Sequence, residues 1–258
     1  MQTDYHVHTV YSDGRRPMRD YVEQAETIRL DEIGFSDHAH FQKASWSMQL
    51  NSLPEYLYEI NVLKQTSRIP VKAGIEVDFV PSKMDELMKT INRFDFDYLI
   101  GSVHHIGDWL IDSETQVHRW KGQNIDNVYQ QYFALVQEMV KTRQFDIIGH
   151  IDLPKKFGFR PRNNITNLLL ETAQVTSKTD MCVEINTSGL RKPCHEIYPS
   201  QDLLKTCFDH GLPVTLGSDA HSPEDVGADF DYAIKLLRQV GYTEIVKFDR
   251  RDKEFVEL

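Results

Sequence analysis

The sequence predicts an α/β fold, a TIM-like barrel of seven (β/α) units spanning residues 1–258 as one domain. Three observations predict it. Strand-like and helix-like runs alternate along the whole chain, the pattern of parallel strands joined by crossover helices. The 258 residues are close to the roughly 250 typical of a single such barrel. Five of the seven strand-like runs end in His, Asp or both, and in these barrels chemistry gathers at the C-terminal ends of the strands.

Each element has its own warrant. Tyr5 to Thr9 reads as the first strand, broken by the turn residues Ser12-Asp13-Gly14. Arg19 to Arg29 is helical, with Tyr21, Val22, Ala25 and Ile28 on one face, and Glu32 to His38 is the second strand. Leu57, Ile60 and Leu63 mark the next helix. Val71 to Val80 alternates apolar and polar residues as the third strand, with Pro81-Ser82 opening the helix beyond it. Tyr98 to His105 is the fourth strand. Ile106 to Asn127 has weak periodicity and reads as a long loop over one end of the fold, a kind of loop that is more often functional than idle. Val128, Tyr132, Val136, Met139 and Val140 restore a helical stripe before the fifth strand, Phe145 to Asp152. A helix face through Ile165, Leu168, Leu169, Thr172 and Val175 precedes the sixth strand, Met181 to Ser188. Leu203, Leu204, Cys207 and Phe208 form a helix closed by Gly211, a residue suited to the position after a helix end. Pro213 to His221 is the seventh strand, and Phe230, Ala233, Ile234, Leu237 and Val240 make a last helix stopped by Gly241.

Composition narrows the function classes. With 29 basic against 39 acidic residues the formal charge is −10, which argues against a general nucleic-acid binder that must displace counterions with a basic face. Three cysteines without a CxxC pair indicate neither a disulfide framework nor a zinc ribbon, and a reduced, cytoplasmic setting is the simplest expectation. No apolar run approaches a membrane span, and the polar start Gln2-Thr3-Asp4 is unlike a secretory signal.

The chemistry lies in the strand ends. Side chains alternate along a strand, so His6 and His8 project to the same side, a ready pair of ligands for a transition metal if others converge on them. Alone, His-x-His is commonplace. Strand two ends in Asp37-His38, strand four in His104-His105, strand five in His150 and Asp152, and strand seven in Asp219-Ala220-His221. Strand three carries Glu76 between Ile75 and Val77. A buried carboxylate there needs cationic partners, since an unpaired one would cost several kcal/mol. Plainer readings exist for each. Glu76 could be an ion-paired core residue, Asp13 and Asp37 turn residues, and Ser218 to His221 a loop cap. Of His104 and His105, only one can face inward on a regular strand. His118, His195 and His210 sit in loop or helix contexts that suit surface roles. A barrel, however, would bring all the strand ends into one cup.

As an ordered set these motifs resemble the polymerase and histidinol phosphatase (PHP) superfamily. The resemblance rests on His6-Val7-His8, Ser36-Asp37-His38, Glu76, GSVHH ending at His105, GHID ending at Asp152, and Ser218 to His221. The run from Asn186 to Lys192, the run from Glu196 to Ser200, and Gly158-Phe159-Arg160-Pro161 resemble the histidinol-phosphatase branch. The resemblance implies a distorted seven-stranded barrel with three divalent ions, zinc, manganese or iron. It implies that His6, His8, Glu76 and Asp219 hold the first ion, that Glu76 bridges to a second held by His104 and His150, and that Asp13, His38 and His221 hold the third. His40 is an alternative to Asp13.

Such a site suits phosphoester hydrolysis. A metal pair bridged by a carboxylate acidifies a shared water near neutral pH, and the resulting hydroxide can attack phosphorus while cations absorb phosphoryl charge. Arginines are expected where the metals leave phosphate oxygens uncovered, and Arg160 and Arg191 are the candidates. Asp152, His40 or a metal-bound water is expected to protonate the leaving alcohol. The branch resemblance implies a small-molecule substrate, L-histidinol phosphate, in histidine biosynthesis. A phosphotyrosine-protein phosphatase, a proofreading nuclease module and a non-enzymatic metal scaffold are the rival readings. The acidic charge and the lack of a polymerase-sized extension weigh against the nuclease.

Overall fold

Alternating apolar runs become the strands of one parallel sheet in the computed structural model, which describes residues 2–42 and 44–258. In chain order the elements are β1 (Thr3–Asp4), α1 (Met18–Thr27), β2 (Glu32–Phe35), β3 (His38–Ala39), α2 (Leu53–Thr66), β4 (Val71–Asp78), α3 (Met84–Ile91) and β5 (Tyr98–Ser102). There follow β6 (His105–Ile106), β7 (Trp109–Leu110), α4 (Ile125–Thr142), β8 (Ile147–Ile148), α5 (Thr166–Thr176) and β9 (Cys182–Asn186). The chain ends with α6 (Gln201–Asp209), β10 (Val214–Gly217), α7 (Phe230–Val240), β11 (Glu244–Asp249) and β12 (Asp252–Glu257). Seven strands run parallel in the order β1-β2-β4-β5-β8-β9-β10, with β3 pairing beside the far half of β4.

The first and last strands nearly close this sheet into a barrel. Beyond β1 the chain stays extended, and the His8 amide donates to the Ala220 carbonyl (2.8 Å) while the Ala220 amide donates to His6 (3.1 Å). Asp4 reinforces the seam, because its buried carboxylate accepts from the Ser218 amide (2.9 Å), the Ser218 hydroxyl (2.5 Å) and the Gly227 amide (2.9 Å). The helices lie outside with their apolar stripes inward. Tyr21, Val22 and Ala25 of α1, and Tyr132, Val136, Met139 and Val140 of α4, are all buried. The fold class expected from the alternation is the one observed.

The N-terminal end of the barrel is filled by aromatic side chains. The Tyr98 ring crosses the interior and donates through its hydroxyl to the Tyr5 (2.7 Å) and Phe35 (3.1 Å) carbonyls. A side chain at Gly74 would stand 2.1 Å from that ring, so only glycine fits the strand there. The antiparallel hairpin β11–β12 seals the same end. It sets Phe248 against Tyr5 and Tyr98, with ring centroids 5.9 and 6.1 Å apart. Arg251 ties the hairpin to Asp146 (2.8 Å). No element is expected from the sequence after Gly241, and the hairpin there is an addition to the seven (β/α) units.

The segment expected as a long loop, 106–127, is also more ordered than its periodicity implied. It holds the short hairpin β6–β7 and a 3₁₀ turn at Glu114–Trp120. Trp120 is buried, donates to the Ile111 carbonyl (2.9 Å), and stacks on Phe159 with centroids 4.8 Å apart. Aromatic anchoring of this kind leaves no periodic trace in sequence.

Candidate metal centre

The strand ends raise a ring of imidazoles and carboxylates into one cup. His6 and His8 leave the extended chain after β1 on the same side, with ring centroids 4.9 Å apart, and both are fully buried. Glu76 stands in β4 with no exposed surface. His38 opens β3, His104 follows β5, His150 follows β8, and Asp219 and His221 follow β10. Asp219 has a backbone φ of 54°, in the left-handed region that L residues seldom occupy. This conformation is of the kind that clusters at functional sites.

The two oxygens of Glu76 face different histidines, and Oε2 also lies 2.7 Å from His38 Nδ1. Oε2 lies 3.3 Å from His6 Nε2 and 3.6 Å from His8 Nε2, and His8 Nε2 is in turn 3.3 Å from Asp219 Oδ1. Oε1 lies 3.0 Å from His150 Nε2 and 3.6 Å from His104 Nε2, with those two nitrogens 3.3 Å apart. A third group forms where Asp13 Oδ1 stands 3.6 Å from His38 Nε2 and 3.3 Å from His221 Nε2. Ligand atoms about 2.0–2.2 Å from a tetrahedral ion must lie roughly 3.3–3.6 Å from one another, which matches all of these spacings but the 2.7 Å between Glu76 and His38 and the 3.0 Å between Glu76 and His150. His6 Nε2 and both ring nitrogens of His8 are buried with no hydrogen-bond partner. Orphaned polar atoms of this kind are costly unless something fills the space between them, and the nitrogen and oxygen donor set fits transition metals.

Electrostatics are arranged for the same end. Burial alone would raise the Glu76 carboxyl, but His38, His6 and His104, with the hydrogen bond to His150, hold it well below its usual range. Burial, with His38 and His221 nearby, pushes His8 down to about 3, leaving a neutral imidazole. At His104 burial opposes the charge, yet Glu76 and Asp78 push it up to about 10. At His221, Asp13 and Asp219 likewise outweigh burial and push it up to about 9.

Three buried carboxylates that the sequence analysis did not single out, or read as turn residues, support this ring. Glu184 Oε1 lies 2.5 Å from His6 Nδ1, and Oε2 accepts from the His150 amide (2.8 Å), so one side chain fixes members of two groups. Gly217 allows this approach, since a Cβ there would stand 2.1 Å from Glu184 Oε1. Asp78 lies 3.4 Å from His104 Nδ1, 2.8 Å from His105 Nδ1 and 2.7 Å from His40 Nδ1. Asp37 accepts from the Thr9 amide and hydroxyl and from the Ser12 amide and hydroxyl, at 2.6–3.1 Å. It thereby shapes the turn that carries Asp13. A carboxylate on the far nitrogen of a histidine sets its tautomer and aims the near one. The only signal for Glu184 in sequence was a lone charge in an apolar strand, the same signal that pointed to Glu76.

The structure brings His6, His8, Asp13, His38, Glu76, His104, His150, Asp219 and His221 together. Three other candidates are placed elsewhere. Arg160 is held by Glu196 (2.6 Å). Asp152 is paired with Lys155 (2.8 Å) and accepts from the Ser200 amide (2.8 Å). His40 is held by Asp78, and its ring packs 5.1 Å from that of Trp46. None of the three is among the residues lining the cup, because each is committed to a neighbour outside it. Arg191 does line the cup, anchored to the Ser218 carbonyl (2.7 Å) and Asp229 (3.1 Å). Arg15, Lys156 and Lys192 line it too, as do Trp46 and Tyr198. Of His104 and His105, only one of which was expected to face inward, His104 joins the ring and His105 joins His40 on Asp78.

The cup encloses about 210 Å³, the scale of a small molecule. No helix among the described residues is long and apolar enough to cross a membrane.

Comparison with known proteins gives the family. The family described as PHP domain matches residues 4–188. A probable histidinol-phosphatase of Deinococcus radiodurans is 37% identical over 244 residues, covering 92% of this chain and 93% of that protein. A histidinol-phosphatase of Lactococcus lactis subsp. lactis is 28% identical, covering 95% of this chain and 93% of its own. The crystal structure of histidinol phosphate phosphatase from Lactococcus lactis subsp. lactis, complexed with zinc, L-histidinol and phosphate, superposes with a TM-score of 0.86. It is 26% identical and covers 98% of both chains.

Proposed function

The chain belongs to the PHP domain family, and on that premise we propose that it is a metal-dependent phosphomonoesterase hydrolysing L-histidinol phosphate to L-histidinol and phosphate. One observation carries the reading. A single buried carboxylate, Glu76, sets Oε2 against His6, His8 and His38 and Oε1 against His104 and His150, in a fold that follows a zinc-, histidinol- and phosphate-bound relative along nearly its whole length.

His6, His8, Glu76 and Asp219 would hold one ion, Glu76, His104 and His150 a second, and Asp13, His38 and His221 a third. Zinc, manganese and iron all suit these donors. When bound, the cations supply Lewis acidity toward the phosphoryl oxygens and acidify a water for in-line attack near neutral pH. The chain's own residues do the rest. Glu76 and Asp219 stay ionised, because the surrounding histidines hold both carboxyls well below their usual range. Asp219 divides its labour, with Oδ2 taking hydrogen bonds from Ser188 (3.0 Å) and Asn186 (3.3 Å) while Oδ1 faces His6 and His8. Lys192 and Arg191 at the rim bind phosphoryl oxygens not covered by the ions, Arg191 through a fork pre-set by its carbonyl and carboxylate contacts. Asp152 and His40 are both engaged away from the cup, so the leaving alcohol would take its proton from solvent. The narrow cup favours a small phosphomonoester over a phosphotyrosyl protein.

Phosphate release from histidinol phosphate, phosphotyrosine and inositol phosphates, with metal analysis of the same sample, tests the proposal. Histidinol phosphate should lead the panel in kcat/KM by about 100-fold or more. Equal, poor rates on all would overturn the substrate. Full activity with no bound metal would overturn the site.

A further inference from the structure

Lys155 is the only buried lysine or arginine among the described residues. It closes a 3₁₀ turn, Leu153–Lys155, shortly beyond His150. An ammonium out of reach of water is costly unless its donors are met. Three acceptors surround this one: Asp152 Oδ2 (2.8 Å), the Ile197 carbonyl (2.6 Å) and Glu196 Oε2 (3.3 Å). The Tyr198 ring lies against it, with its centroid 5.0 Å from Nζ. Asp152 Oδ2 also accepts from the Ser200 amide (2.8 Å), so Lys155 and Asp152 together grip residues 196–200. Those residues form one side of the neck of a loop. The Glu196 amide donates to the Gly189 carbonyl (3.3 Å), and Asn186 and Tyr198 each donate an amide to the other's carbonyl (2.7 and 2.9 Å). A Cβ at Gly189 would stand 2.1 Å from the Glu196 carbonyl oxygen, so only glycine allows so tight a neck. Lys192 stands at the tip of the loop and lines the cup. Unlike Arg191, it has no side-chain hydrogen bond or ion pair among the described residues. Its amide donates to the Gly189 carbonyl (3.1 Å) and its carbonyl accepts from the His195 amide (2.9 Å). The backbone of the loop therefore sets where Lys192 stands.

We infer that Lys155 is a positioning residue, which pins the neck of this loop to the segment carrying His150 and so holds Lys192 in place for the phosphoryl group; the inference rests on the phosphomonoesterase reading above. An apolar side chain of the same length would leave the Ile197 carbonyl without its donor. Asp152 and Glu196, both drawn to Nζ, would then face each other as like charges, with only Arg160 left beside Glu196. The neck relaxes away from the end of β8, and Lys192 moves with it. Arg191 keeps its own tethers to Ser218 and Asp229. None of the proposed metal ligands is a partner of the Lys155 ammonium. The loss therefore falls on one rim cation and spares the ions. Asp152 and Glu196, which lie in the runs that the sequence singled out, act in the same clamp rather than in the cup.

The test compares zinc-loaded wild type, Lys155→Met, Lys192→Ala and the double variant on histidinol phosphate and p-nitrophenyl phosphate, with inorganic phosphate as competitive inhibitor. Lys155→Met should raise KM for both esters, and the inhibition constant of phosphate, about tenfold, the worth of one charge-assisted contact. Its kcat should stay within about threefold of wild type, with zinc content unchanged. In the Lys192→Ala background the same substitution should move KM by less than about twofold, because the cation it positions is already gone. A merely structural lysine would cost the same in both backgrounds. Should Lys155→Met fail to fold, Glu196→Gln removes one ionic partner of the ammonium at a partly exposed site. It should give a smaller rise in KM that also vanishes with Lys192→Ala. Unchanged KM, an equal rise in both backgrounds, or zinc lost in step with activity overturns the inference alone. Wild type that cleaves only p-nitrophenyl phosphate overturns the histidinol phosphate substrate, and the inference is then decided on that ester. Wild type that cleaves neither overturns the phosphomonoesterase reading, and this inference with it.

Discussion

Replacing Glu184 by Gln should loosen the metal centre without touching a metal ligand. The side chain is 1% exposed and makes three contacts, to His6 Nδ1 (2.5 Å), the His150 amide (2.8 Å) and Asn186 Nδ2 (3.1 Å). Glutamine has one acceptor and one donor where glutamate has two acceptors. With its oxygen toward His6, its NH₂ meets the His150 N–H and the Asn186 amide, donor against donor. Turned round, its NH₂ meets His6 Nδ1 and forces the ring proton onto Nε2, the nitrogen that faces Glu76 and Asp219. Either way one charge-assisted hydrogen bond is lost, worth about 1.5–3 kcal/mol. Loss of a partner behind a ligand generally costs 10- to 100-fold in metal affinity, about 1.4–2.7 kcal/mol, and the two figures agree. Competition with a chromophoric chelator should show zinc affinity weakened by about that factor. The metal-free variant should melt roughly 3–12 °C lower. Gly217→Ala should reproduce the effect with Glu184 intact, since its Cβ would displace the carboxylate. Unchanged zinc affinity together with an unmoved melting point in Glu184→Gln would refute the argument.

Further outcomes follow from the same geometry. Lys192→Ala should raise KM for the phosphoester about tenfold, one rim cation's share of phosphate binding, with zinc content unchanged; a lost metal complement would show Lys192 to be structural instead. Phe248→Ala, 1% exposed in the wild type, should cost about 3–5 kcal/mol in urea unfolding. Because it lies at the end of the barrel opposite the cup, folded variant should keep its kcat. Zinc binding to the metal-free protein at pH 7.5 should release protons, seen as a dependence of calorimetric heat on buffer ionisation enthalpy. His104 and His221, raised to about 10 and about 9, are protonated at that pH and must lose a proton to become ligands. Affinity should accordingly weaken as pH falls; heats independent of the buffer would contradict the assignment of those two residues.

Much of this was legible in the sequence, for a physical reason. Strands hold their pattern at a period of two and helices near four, so the alternation of units and the side to which His6 and His8 project follow directly from residue order. Glu76 was conspicuous because an apolar strand rarely tolerates a carboxylate without partners. Contacts between distant segments left no such trace. Glu184 was equally buried, but nothing local says that it faces His6 rather than an ion of its own. Arg160 looked like a phosphate ligand on its loop, and only the fold reveals that Glu196 holds it. The β11–β12 hairpin is half polar and short, and its place under the barrel depends on Tyr5 and Tyr98 having left room for Phe248. The order within residues 106–127 was hidden for a related reason. That segment looked irregular because buried indoles, rather than a repeating stripe, give it shape.

The seam between the first and last strands bears on how the centre comes into being. Asp4 reaches Ser218 across 214 positions of chain, and the ligand set is split the same way, with His6 and His8 near one terminus and Asp219 and His221 near the other. During synthesis from the N-terminus, the early histidines emerge long before the carboxylate that faces them. On the proposed ligand set a nascent chain offers only loose, partial chelation, and the docking of the final strand closes the barrel and would complete the first proposed site in one event. Such distant pairings form slowly, because a large loop must close before any contact rewards it. If the proposed site holds metal, charging is a late step of maturation, and a refolding chain should gain tight zinc binding together with its last phase of native structure rather than ahead of it.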